Sequence, residues 1–295
     1  MPSLRARTTP PSPAWLDAQY NNRTRVPEHA QILERWARAS ALVRDSADCE
    51  LDIAYGSGVG ETLDVFPPTS RSSGAPVLVF IHGGYWRALD KRDQSFVAPA
   101  FLQAGAMVVI PNYALCPAVS VGHIVLQMVA VLAWVHRNAA RWGGDARRIV
   151  VAGHSAGGQL AAMLLNCDWR RVAPDLPPQL VRRALAVSGV FDLEPLRRAP
   201  FIAGDLRLTR AAAARLSPAR LPAPAQGTLY AVVGADESEE FRRQNAAIRS
   251  AWGRRAVPVC EAIAGTNHFT VLHELVDARS GLHRRALELL DAGAA

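Results

Sequence analysis

Ile149-Val150-Val151-Ala152-Gly153-His154-Ser155-Ala156-Gly157-Gly158-Gln159-Leu160 decides how the rest of this chain is read. It opens with an apolar, β-branched run of the kind that fills a buried parallel strand. A Gly-x-Ser-x-Gly turn follows from Gly153 to Gly157, and good helix formers run on through Leu165. Strand, sharp turn and helix are the setting in which this motif is a nucleophile elbow. Glycines at 153 and 157 let strand and helix approach closely around a strained serine. The hydroxyl is then presented above the sheet, at the positive end of a helix. The plain alternative is a small-residue strand-to-helix turn with an ordinary helix-capping serine, and the flanks seen here favour the elbow over it.

Working outward, the same alternation appears on both sides. Before the elbow come a strand over 77–81, a helix over 95–103 stopped by Gly105, a strand over 106–110 and a long helix over 121–141. After it come strands over 184–187 and 228–233, a helix over 239–252, a strand over 257–263 and a closing helix over 280–290. Strands alternating with helices predict an α/β fold with one doubly wound, mostly parallel sheet. Residues 51–55 and 62–66 alternate apolar with polar around Gly56-Ser57-Gly58, which predicts an antiparallel hairpin at the N-terminal edge. A helical stripe covers 28–45. The segment 191–224 breaks the rhythm and reads as a small helical cap inserted over the strand ends. The expected organisation is an N-terminal arm over 1–27, its first 13 residues too rich in Pro, Ser and Arg to pack, followed by a single domain over 28–295.

Composition narrows the function. The 295 residues carry 33 basic and 26 acidic side chains, a net charge of +7, and Lys91 is the only lysine. The arginines are scattered, with no basic helix or aromatic-interleaved stripe, so nucleic acid is not an expected partner. Cys49, Cys116, Cys167 and Cys260 lie far apart without a metal-ligand spacing, which predicts reduced thiols in a cytoplasmic protein. The N-terminus lacks the apolar core of a secretory signal. The most apolar stretch, 121–135, is interrupted by Gly122, His123 and Gln127 and falls short of a membrane span. The expected partner is a small-molecule substrate, with neither membrane nor cofactor; a homo-oligomer is compatible with the chain.

A serine hydroxyl needs an adjacent base to act as a nucleophile at neutral pH. In open α/β sheets such groups collect at the carboxyl ends of strands. Two loops follow Ser155 in the order acid then histidine. Val232-Val233-Gly234-Ala235-Asp236 puts an acid just past one strand, and Gly265-Thr266-Asn267-His268-Phe269 puts a histidine past the last. This gives Ser155 as nucleophile, His268 as base and Asp236 as the orienting acid. Asp192, after another strand end, is the second choice of acid. Glu237, Glu239 and Glu240 read as the acidic first turn of a helix, where carboxylates suit the dipole without any catalytic role. His154 and His82 read as packing and supporting residues. The loop His82-Gly83-Gly84-Tyr85-Trp86 follows the strand over 77–81, where backbone N–H donors for an oxyanion are expected; Gly83, Gly84 and Ala156 are the candidates.

These motifs resemble the α/β-hydrolase superfamily over about residues 60–292. The His-Gly-Gly-Tyr-Trp loop at 82–86 and the stretch Gly153 to Ala161 are similar to the arylformamidase (kynurenine formamidase) and bacterial esterase branch, as are 191–196 and 236–244. The resemblance implies hydrolysis of N-formylkynurenine to kynurenine and formate, or of small aryl and acyl esters, through an acyl-enzyme. Two other readings stand beside it: a carboxylesterase of the hormone-sensitive-lipase type, and an idle hydrolase fold that only binds. Tyr85, Trp86 and Phe269 are expected to line an aromatic pocket. Arg87 is a candidate for a substrate carboxylate, against the simpler expectation of a solvated loop arginine.

Overall fold

Strands that are apolar on both faces fit only where helices cover both sides of a sheet. The computed structural model describes residues 11–69 and 74–291. Eight strands make one sheet: β1 (Glu50–Ala54), β2 (Thr62–Phe66), β3 (Ala75–Ile81), β4 (Met107–Pro111), β5 (Gly144–His154), β6 (Arg183–Val187), β7 (Thr228–Gly234) and β8 (Val259–Ile263). Their order is β1-β2-β4-β3-β5-β6-β7-β8. The β1–β2 and β2–β4 pairs are antiparallel and the other five pairs are parallel. The mostly parallel sheet and its N-terminal hairpin are therefore as the sequence predicts.

Side chains alternate between two cores. Val77, Val79 and Ile81 of β3 enter one, and Leu78 and Phe80 enter the other. Register sets the height of the functional loops. Ile81 pairs with Gly153, His154 with Val187, and Gly234 with Ile263. Every loop that carries a candidate residue thus leaves the same edge of the sheet.

The helix expected over 95–103 is a 3-10 turn, Lys91–Val97, followed by an α-helix, Ala98–Gln103. The segment 191–224 does fold into short helices, among them Pro200–Leu206 and Arg210–Arg215. The N-terminal stretch departs from expectation. Part of the expected N-terminal arm forms helices Pro13–Tyr20 and Asn22–Arg25. Ser12 caps the first of them and Pro13 occupies its first turn, a start signal present in the sequence. Of the 13 residues expected not to pack, 1–10 lie outside the described residues. No helix among the described residues is long and apolar enough to cross a membrane.

Candidate active site

Ser155 sits between β5 and the helix Ala156–Leu165 with φ 56° and ψ −115°. That is a costly backbone for any residue with a Cβ. Its amide donates to Val187 O at 2.8 Å, which ties the turn to the neighbouring strand. The flanking glycines are sterically required. A Cβ on Gly153 would stand 2.2 Å from Gly157 O, and one on Gly157 would stand 2.0 Å from Ile81 O. The serine is held up because strand, helix and β3 meet beneath it.

The loop after β3 is a left-handed turn. Gly84, Tyr85 and Trp86 have φ of 98°, 52° and 56°, and the amides of Arg87 and Ala88 both donate to Gly84 O. Two non-glycine residues in this region need anchoring, and they have it. Tyr85 OH donates to Tyr20 O (2.5 Å), and Trp86 Nε1 donates to Gln159 Oε1 (3.2 Å). His82 stacks on Tyr113 with ring centroids 4.2 Å apart, and Tyr113 OH reaches the carbonyls of His82 and Gly83. Gly83 is pressed against the nucleophile: a Cβ there would meet Ser155 Cβ at 3.1 Å. Among the described residues the amides of Gly83, Gly84 and Ala156 donate to no protein group, so they remain free for a developing oxyanion.

The carboxylate that meets His268 differs from the one expected. His268 Nδ1 lies 2.6 Å from Glu237 Oε2, and both side chains are buried. The other oxygen, Oε1, accepts from Ser188 Oγ and from Gly234 N (2.8 Å). Asp236 is exposed and has no part in this array. The reason lies in the turn after β7. Glu237 N donates to Gly234 O, closing a turn that sends the side chain of 236 outward and folds that of 237 back over its own backbone. Ser238 Oγ accepts from Phe241 N and caps the helix Glu239–Ala256, so Glu237 precedes that helix and is not in its first turn. A serine as N-cap was the legible signal that separates Glu237 from Glu239 and Glu240. Asp192 is engaged by Arg220 at 2.9 Å.

His154 packs inside, as expected, and is also a support. Its Nε2 donates to His268 O at 2.8 Å, fixing the loop that carries that histidine. Burial, helped by the nearby His268, holds the His154 pKa well below its ordinary value, so it stays neutral beside the base. Burial likewise lowers the pKa of His82.

Ser155 and His268 open on one cavity, with Tyr85, Phe201 and Phe269 among its walls. No hydrogen bond joins Ser155 to His268 Nε2 among the described residues; such contacts commonly close only around a bound carbonyl. Tyr85 and Phe269 line the cavity as expected, but Trp86 does not. It is fully buried in the core, because its indole N–H is directed at Gln159 beneath the turn. Arg87 lines the cavity but is not a solvated arginine. It pairs with Asp205, donates to Phe201 O (2.9 Å) and lies over the Phe201 ring. The N-terminal segment supplies a wall that the sequence did not reveal, with Asn22 and Arg23 at the cavity.

Comparison with known proteins agrees with this geometry. Residues 63–170 match the family model described as BD-FAE. The chain is 32% identical to a kynurenine formamidase of Danio rerio over 246 residues, 81% of each chain. It is 42% identical to the carboxylesterase NlhH of Mycobacterium tuberculosis over 118 residues, 39% of this chain and 36% of that one. Among solved structures, a protein provisionally described as a thioesterase from Silicibacter sp. TM1040 superposes with a TM-score of 0.79 at 30% identity, covering 90% of this chain and 97% of its own. The chain is a hydrolase and belongs to the kynurenine formamidase family of α/β-hydrolases.

Proposed function

We propose that this enzyme removes the formyl group from an aryl formamide of the N-formylkynurenine type, with Ser155, His268 and Glu237 as its triad. Glu237 accepts a hydrogen bond from the Nδ1–H of His268 and stays ionised, which leaves Nε2 as the base for the Ser155 hydroxyl. Ser155 attacks the formyl carbonyl, and the amides of Gly83, Gly84 and Ala156 receive the oxyanion. His268 returns the proton to the leaving amine. Water, activated by the same imidazole, then releases formate from the serine. The observation that carries this reading is the long relationship to a kynurenine formamidase combined with a buried carboxylate on Nδ1 of the histidine.

A carboxylesterase of the hormone-sensitive-lipase type is the second reading, favoured by the 42% identity to NlhH over 118 residues. Turnover of N-formylkynurenine compared with 4-nitrophenyl acetate separates the two. Strong ester cleavage without deformylation would reject the formamidase. Failure of a fluorophosphonate probe to label Ser155 would reject both, in favour of a fold that only binds. A cytoplasmic setting fits the four free cysteines.

A further inference from the structure

Apart from Ser155, the cavity wall carries a buried amide donor that no group among the described residues satisfies. Asn22 is 5% exposed, it lines the cavity together with Ser155, and its Nδ2 has no hydrogen-bond partner. Buried amide nitrogens are rarely left so, since an unpaired one has given up its water with nothing in exchange. Beside it stands Arg23, exposed at the same cavity and without an ion pair among the described residues. The other arginine of the cavity, Arg87, is already neutralised by Asp205. The segment bearing Asn22 and Arg23 is held in place from several directions. Tyr20 O accepts from Tyr85, Tyr20 OH donates to Glu240 (2.7 Å), and Asp17 accepts from Phe201 N (3.0 Å). An unsatisfied donor and a free cation on a fixed support form a site for an anion with two acceptor oxygens.

We infer that Asn22 and Arg23 form a subsite for a carboxylate on the leaving half of the substrate. Asn22 Nδ2 donates to one oxygen and Arg23 supplies the opposing charge. The choice of the leaving half rests on the proposed deformylation, because a one-carbon acyl group has no room for a second charge. The site thus moves carboxylate recognition from Arg87 to the N-terminal segment.

The test is a ratio of kcat/KM values for a charged and a neutral substrate. One pair is N-formylkynurenine and formanilide; the other is 3-(4-acetoxyphenyl)propanoate and phenyl acetate. Arg23→Gln lowers the charged-to-neutral ratio about tenfold, mainly through KM, and Arg23→Lys keeps most of it. Asn22→Leu, which removes the donor at similar volume, lowers the ratio in the same direction. A ratio unchanged in Arg23→Gln overturns the subsite, as does an equal loss on both members of a pair. If the wild-type enzyme leaves N-formylkynurenine intact, deformylation falls as a reading, and the ester pair alone decides the subsite by the same ratio.

Discussion

Glu237 reaches His268 Nδ1 at 2.6 Å from a turn whose preceding residue, Asp236, faces solvent. Two acids adjacent in sequence therefore have opposite fates, and substitution separates them. Glu237→Gln keeps the shape but loses the charge that stabilises the imidazolium, and lowers kcat by roughly 10³- to 10⁴-fold. Asp236→Asn stays within about twofold of wild type, as expected for an exposed site away from the reacting groups. Steady-state kinetics on the better substrate measures both. The reverse ranking would restore Asp236 as the acid.

Ser155 holds φ 56° and ψ −115°, a backbone that glycine adopts with least strain. Both Ser155→Ala and Ser155→Gly abolish turnover. The glycine variant is also the more stable of the two, by about 1 kcal/mol, because strain of this kind costs roughly 1–3 kcal/mol and the entropy of glycine offsets part of its relief. Chemical denaturation compares them. A glycine variant less stable than the alanine one would mean that the elbow stores little strain.

Gly83 and Gly157 both face a backbone carbonyl oxygen, but the overlap is much deeper at Gly157, and Gly83 also faces the Ser155 side chain. A Cβ on Gly157 meets the Ile81 carbonyl at 2.0 Å, and backbone has no room to yield there. Gly157→Ala is expected to lose about 3 kcal/mol or more of stability. A Cβ on Gly83 meets His154 O at 2.9 Å and Ser155 Cβ at 3.1 Å, so the strain goes into the nucleophile. Gly83→Ala is expected to fold and to lose about 100-fold in kcat. Thermal midpoints and kcat measured on the same two proteins check the split; a Gly83→Ala enzyme with normal kcat would contradict it.

Burial lowers the pKa of His154 and of His82 below the ordinary value of 6.5. The unfolded chain then binds more protons than the folded one in the window from about 6.5 downward, so stability rises with pH there and is lost on acidification. Each histidine contributes a slope of up to about 1.4 kcal/mol per pH unit. Denaturation at pH 5.5 and 7.5 should show the wild type losing more stability in acid than His154→Gln. Equal losses would show that His154 does not titrate on unfolding.

Much of this site was legible because its parts are local. The elbow is a pattern of five residues between a β-branched run and a helix, and the turn at Gly83 and Gly84 follows a strand at a fixed place. Both carry their signal in adjacent positions. Glu237 was missed because two acids stand side by side and only the turn closed by Glu237 N on Gly234 O decides which one folds back. Trp86 was misplaced because a large aromatic next to an oxyanion turn reads as pocket, whereas its partner Gln159 lies 73 residues away. The wall formed by Asn22 and Arg23 left no pattern at all. Its position depends on Tyr20 meeting Tyr85, 65 residues further along, and no local periodicity encodes such a meeting.

Tyr20 grips two parts of the machinery at once. Its carbonyl holds the turn through Tyr85, while its hydroxyl holds the helix Glu239–Ala256 through Glu240 and Gln244. The first helix is thus a clasp between the oxyanion turn and the helix that follows the acid, although it contributes no reacting atom. Mild heating or limited proteolysis that frees this clasp while the sheet survives would silence the enzyme early. Inactivation and global melting would then be two events, with the loss of turnover coming first.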